Sequence, residues 1–242
     1  MNLQGVLQKF LRYFYFSSCS AKKSGIFAFP KTWPMEEAPQ MKWYALKIFF
    51  NKAFDVEDYL NARGIDTYIP VQKVLLKGIA HILARKRLAK APEHRDSRYI
   101  VEGALIYQRK PLVTSLLFVH CAEEQLSEVD AYMKERDANN NMRGYIYSTY
   151  QSGERKLTSI PDKEMACFRL VVDNGSKGLE FFADDDIARF ASGDRVRVKE
   201  GPLRGAEGYI KRIRRDRRLL VVIEGIVTVA TTYIPPQNLE KI

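Results

Sequence analysis

The chain of 242 residues has few of the side chains on which metal and nucleophile chemistry depend: three cysteines and three histidines. Cys19, Cys121 and Cys167 are odd in number and lack ligand spacing, so neither a disulfide framework nor a zinc site is indicated. A reducing, cytoplasmic compartment is expected. His120 and Cys121 adjoin, but neighbouring strand residues point to opposite faces and cannot form a nucleophile–base pair. His81 and His94 sit in a basic segment without a partner carboxylate pattern. Ser192-Gly193-Asp194 reads as a turn rather than a nucleophile elbow, and there is no phosphate-cradling glycine loop. The expectation is therefore a protein that is not an enzyme, with no cofactor and no metal. Nor does any apolar run approach the ~20 residues that span a bilayer. The apolar, aromatic start, Leu3 to Phe16, is interrupted by Lys9 and Arg12 and lacks a small-residue cleavage site, which makes it a poor signal peptide. No membrane partner is expected.

Acid is the other scarcity. Asp and Glu total 29 against 39 Lys and Arg, a formal net charge of +10, which favours an acidic partner such as nucleic acid. The excess is concentrated. Lys73, Lys77, Arg85, Lys86, Arg87, Lys90, Arg95 and Arg98 face only Glu93 and Asp96 over their span, and Arg214-Arg215-Asp216-Arg217-Arg218 forms a second cluster. A solvated loop is the alternative for each. Apolar residues, at 46%, suffice for one large core or two smaller ones.

The first forty residues lack periodicity and contain Pro30, Pro34 and Pro39. They read as a flexible, dispensable extension, or as the product of a start codon placed too far upstream. From Trp43 the pattern is regular. Trp43 to Phe49 is a strand, with Tyr44, Leu46 and Ile48 on one face and Trp43, Ala45, Lys47 and Phe49 on the other. Asp55 is a plausible N-cap for a helix Val56–Arg63 ending at Gly64. Further strands are expected over Asp66–Leu76, Val101–Tyr107, Leu112–Cys121 and Arg143–Thr149, with helices over Glu123–Asp137 and from Pro161 through Val171. The order suggests an α/β sandwich built on one sheet. If helices cover only one face of that sheet, Phe49, Leu116 and Phe118 remain exposed on the other, an apolar patch of the kind that marks a protein interface. A polar stretch, 177–191, reads as a linker to a terminal β domain over 192–242.

That terminal domain holds the clearest motif. Val196 and Val198 alternate with Arg195, Arg197 and Lys199. A turn follows in which Gly201-Pro202 and Gly205 supply unusual backbone angles, and Gly208 opens the next strand. Strands are expected near Asp194–Lys199, Tyr209–Arg214, Arg218–Ile223 and Ile226–Thr232. The arrangement resembles the KOW motif, the core of a small SH3-like barrel in ribosomal proteins and elongation factors.

Taken in order, the Trp43-Tyr44 opening, the Pro111-Leu112 to Phe118-Val119 strand, Arg143-Gly144-Tyr145-Ile146 and the terminal KOW resemble the NusG/RfaH family of transcription elongation factors. The segments Glu207 to Ile213, Ile223-Glu224-Gly225 and Ala230 to Pro236 are closer still to UpxY-type specialised antiterminators of capsular polysaccharide operons. The resemblance implies an α+β chain: an NGN-like α/β sandwich over 41–176, then a KOW SH3-like barrel. It implies a cytoplasmic monomer that binds RNA polymerase at the clamp helices of the largest subunit and suppresses pausing and termination. The implied polymerase-binding residues are Trp43, Lys47, Phe49, Leu116, Phe118 and Tyr145. Arg85, Lys86, Arg87 and Arg98 are the candidates for nascent RNA or non-template DNA, on a hairpin or arm over 73–98. The KOW domain implies ribosomal protein S10 or termination factor Rho as a further partner. Two departures stand out: Lys47 occupies a position that is aromatic in some relatives, and Thr114-Ser115-Leu116 replaces a Pro-Gly-Tyr-like turn. A ribosomal or RNA-binding KOW protein is the alternative reading; it needs no apolar patch on the sheet.

Overall fold

Strand β1 (Lys42–Ile48) organises the first half of the fold. The computed structural model describes residues 40–90, 96–175, 178–183, 193–213 and 216–242, within a unit running from Pro39 to Ile242. The expected N-terminal extension lies outside the described residues. Strand β1 pairs antiparallel with β6 (Leu116–Cys121) along one edge. Its other edge is shared: β10 (Ser159–Ile160) pairs with its first half and β7 (Gly144–Ile146) with its second. Strand β2 (Asp66–Tyr68) completes this sheet beside β6.

The alternation in β1 is expressed as two packed faces. Tyr44, Leu46 and Ile48 join Leu117 and Val119 under α1 (Ala53–Asn61) and α3 (Glu123–Lys134), which contribute Phe54, Val56, Leu60, Leu126, Val129 and Met133. Helix α1 begins earlier than its Asp55 cap predicts. Lys52 is the cap residue and makes no side-chain cap bond, while Asp55 lies in the first turn, where its charge complements the helix dipole.

The opposite face is not open. Helix α4 (Asp162–Asn174) lies over it and packs Met165, Phe168 and Val171 against Ala45, Leu116 and Phe118. Phe118 and Leu116 are 0% and 2% exposed, so the expectation that they form an exposed patch is corrected. The reason is stoichiometric: the sandwich has three helices for two faces, and the last one returns to the side that the first two leave bare.

The expected continuous strand Asp66–Leu76 breaks at Ile69-Pro70, both buried. Proline has no N–H to carry a ladder onward. Beyond it β3 (Val71–Leu75) joins a separate sheet with β5 (Leu105–Pro111) and β4 (Tyr99–Glu102), in the order β3-β5-β4. Helix α2 (Gly78–Lys90) is inserted between β3 and β4, so the basic arm is an α-helix on a three-stranded sheet rather than a plain hairpin. A small β8–β9 ribbon (Ser148–Gln151 and Glu154–Leu157) leads into β10.

The C-terminal half is a six-stranded antiparallel sheet, ordered β11-β15-β14-β13-β12-β16. It comprises β11 (Glu180–Ala183), β12 (Asp194–Val198), β13 (Glu207–Ile213), β14 (Asp216–Ile223), β15 (Val227–Tyr233) and β16 (Leu239–Lys241). Strand β11 falls inside the span expected to be linker. Its Phe181 pairs with Val229 across the register and gives the strand an apolar anchor that the acidic residues after it conceal in composition. Of the motif glycines, Gly201 and Gly205 adopt left-handed φ of 87° and 89°, while a Cβ on Gly208 would sit 2.2 Å from the Leu220 carbonyl oxygen. The β13–β14 crossing therefore requires glycine at 208.

One apolar core runs from the second face of the first sheet, through α4, into the C-terminal sheet: Phe168 lies 5.4 Å from Phe118 and 6.5 Å from Phe181, centroid to centroid. Phe118→Ala should therefore destabilise the folded chain by about 3–5 kcal/mol, the usual cost of emptying a buried aromatic site. Urea denaturation followed by tryptophan fluorescence measures it; a loss under ~1 kcal/mol would contradict the packing described.

Candidate functional site

Where α4 ends its cover, the second face of the sheet surfaces. Directly paired residues share a face, and the register sets Lys47 between Leu116 on β6 and Tyr145 on β7. Leu116 is roofed by the core. Lys47 is half-buried and Tyr145 is 40% exposed. Just beyond β1 the backbone turns sharply: Phe50 and Asn51 have φ of 57° and 54°, two successive left-handed residues that are not glycine. Such backbone is costly and persists only where surrounding contacts hold it. Here the hold is Phe49, whose N–H donates to the Arg143 carbonyl at 2.8 Å. The turn pushes Phe50 outward, 62% exposed.

The result is an aromatic row. Phe49 packs edge-on against Phe50 (6.2 Å) and Tyr145 (5.9 Å), and Tyr145 in turn meets Tyr147 (5.8 Å). Glycine is needed beside it, because a Cβ on Gly144 would lie 1.8 Å from the Lys47 carbonyl oxygen. Trp43 is not in this row. It stacks on His120 at 4.7 Å with the Arg169 guanidinium 5.7 Å from its ring centre, four residues back along β1 from Lys47.

The arm is fastened to the sandwich by charge. Arg109 of β5 grips Glu57 of α1 in two-pronged fashion at 2.6 and 3.0 Å and donates to the Ser97 carbonyl at 2.8 Å. Arg98 pairs with Asp55 and Asp96, and Arg87 with Asp96 at 3.4 Å. Of the four cations singled out in the sequence, Arg87 and Arg98 are thus engaged internally. Arg85 and Lys86 are exposed and have no acidic partner among the described residues.

Among the described residues no group of three or more His, Cys, Asp or Glu is placed to hold a metal ion, and no helix is long and apolar enough to cross a membrane. Burial pushes the Cys121 thiol up to about 11, which leaves it protonated and unreactive at neutral pH. Burial first, then the carboxylate of Asp173, drives the Tyr68 hydroxyl far above its usual range.

Residues 41–169, more than half of the chain, match the family model described as transcription termination factor nusG. The chain belongs to the NusG family. Its members are transcription elongation and termination factors that bind RNA polymerase, and the family is not one of enzymes. The solved structure titled "Domain interaction in Thermotoga maritima NusG" is similar over 84% of this chain and 98% of its own, at 18% identity and a TM-score of 0.38. No curated protein matches the chain.

In this NusG-family chain, then, Lys47, Phe49 and Tyr145 come together in one accessible strip, Leu116 and Phe118 lie buried beside it on the same face under α4, and Trp43 stands apart. The sequence reading passed over Phe50 and Tyr147. The doublet Phe49-Phe50 before Asn51 was the available signal, since strict alternation buries only one of two adjacent aromatics. It also passed over the Glu57–Arg109 pair, whose side chains are 5% and 16% exposed. Removing one member of a buried pair strands the other charge. Arg109→Ala should cost about 3–5 kcal/mol, while the double change Glu57→Leu with Arg109→Met should recover most of it. A double-mutant cycle in urea checks this; additive losses would show the two residues are not coupled.

Proposed function

We propose that this chain is a specialised elongation factor that docks on RNA polymerase through the aromatic strip Phe49–Phe50–Tyr145–Tyr147, with Lys47 at its centre, and suppresses pausing and termination. The single observation that carries the reading is that strip: aromatic side chains held partly in solvent by two left-handed residues, in a family whose members bind RNA polymerase. Aromatics in a preformed row supply large contact area for little lost rotamer entropy, which is why they anchor interfaces. The clamp helices of the largest polymerase subunit are the docking site on this reading. Leu116 and Phe118, buried under α4 on the same face, do not touch the partner on this reading.

The terminal sheet is the second half of the proposal. Left-handed Gly201 and Gly205, and the tight approach at Gly208, support its assignment as an SH3-like KOW module that contacts ribosomal protein S10 or Rho. The likeness of its strands to UpxY-type antiterminators points to a capsular polysaccharide operon as the setting. Contact with nascent RNA or non-template DNA falls to Arg85 and Lys86, through phosphate and with strong salt dependence.

Phe49→Ala combined with Tyr145→Ala should weaken binding to purified RNA polymerase by about tenfold or more while circular dichroism stays unchanged. Equal affinity would end the assignment of the strip. Co-purification of the wild-type chain with ribosomal particles in place of polymerase would favour the RNA-binding KOW alternative.

A further inference from the structure

Among the described residues nothing covers the outward face of helix α2. Of the twelve exposed large apolar or aromatic residues among the described residues, six lie on the arm: Leu75, Ile79, Ile82, Leu83, Val101 and Leu105. Ile79, Ile82 and Leu83, exposed by 77%, 53% and 60%, follow the i, i+3, i+4 spacing that places side chains on one face of a helix. The same face continues into Lys86 and Lys90, at i+7 and i+11 from Ile79. The inner side is accounted for: Ala84 is buried, and His81 meets the Ala104 carbonyl at 3.1 Å, fixing the helix to the β4–β5 turn. The stripe therefore lies on the side of the helix away from those two contacts. It is not the spare side of a loose loop.

We infer that α2 is a second docking element for RNA polymerase, laid helix-in-groove into an apolar cleft rimmed by carboxylates on a protein surface of the enzyme. The proposal rests on the polymerase-binding reading above and adds a site to it. Charge selects the occupant. From Gln72 to Lys90 there is no acidic residue, against Lys73, Lys77, Arg85, Lys86, Arg87 and Lys90. A second copy of this helix would bring cation against cation with no carboxylate to offset them. Nucleic acid would satisfy the lysines, but three branched aliphatic side chains offer it neither a hydrogen-bond donor nor a flat ring to stack. An acidic-rimmed apolar groove satisfies both halves of the stripe at once: the first two turns fill the groove and the last turn meets its rim. A helix of 13 residues is about 20 Å long, enough for three to four turns of contact.

The test uses the full chain and core RNA polymerase from the same organism. Ile82→Glu with Leu83→Glu, both exposed positions that leave the fold intact by circular dichroism, should lower polymerase affinity about tenfold or more. Ile79→Ser should produce a smaller loss in the same direction. A photo-reactive side chain placed at Ile82 should cross-link to a polymerase polypeptide, at a site lined with Asp and Glu. Three results overturn the proposal: full affinity in the double variant; a cross-link to the nucleic acid of an assembled elongation complex; or Ile82- and Leu83-dependent binding to phosphatidylglycerol vesicles with none to polymerase. Loss of affinity in the Phe49/Tyr145 variant alone would leave the strip standing and remove only α2. A wild-type chain that fails to bind polymerase removes both.

Discussion

Phe168 is the contact on which the rest of the architecture depends. It is fully buried, with Phe118 of the first sheet on one side and Phe181 of the last on the other. Burying an aromatic ring contributes roughly 1.5–3 kcal/mol, but its position matters more than its size. Helix α4 buries Met165, Cys167, Phe168, Val171 and Val172 in the core shared with both sheets, while Asp162, Ala166, Arg169 and Asp173 stay exposed. Polar contacts at the margin follow that geometry. Lys163 of α4 reaches Glu207 of β13 at 2.8 Å, and together with Arg197 it holds the Glu207 carboxyl below the ordinary carboxylate range. Glu164, one residue on, is driven the other way by burial and by Glu224. The contact thus contains one favourable and one unfavourable acid, and its apolar part decides the balance.

Much of this was legible in the residues. Alternation in Trp43–Phe49 gave both faces of β1, and the run Leu116–Cys121 gave its partner. The glycines of the Val196–Gly208 turn marked the terminal sheet. What alternation cannot tell is which face a distant helix will cover. Leu116 and Phe118 are apolar whether they meet α4 or a partner, and the pattern of α4 itself, apolar on two sides, was the only cue that it had a sheet to spare for each. Hence the face expected to be open is, at Leu116 and Phe118, covered by α4.

The arm was legible in charge but not in shape. Eight cations in one span outweighed, in composition, the 79/82/83 spacing that makes a helix there, because Gly78 and the surrounding lysines read as loop. The aromatic strip was half visible: Lys47, Phe49 and Tyr145 came from their strands, whereas Phe50 depends on a backbone conformation that isoleucine or valine could not easily adopt and that no periodicity encodes.

The break at Ile69-Pro70 has a consequence for how such a chain can change over time. Because β3 hydrogen-bonds within the arm's own sheet, the ladder of β2 on β6 includes no strand of the arm. Residues can be inserted at the turns of the arm without adding a rung to the central ladder, since longer loops cost only slowly more in closure entropy, provided Arg98 and Arg109 keep their hold on α1. The sandwich is in this sense a socket and the arm a fitting.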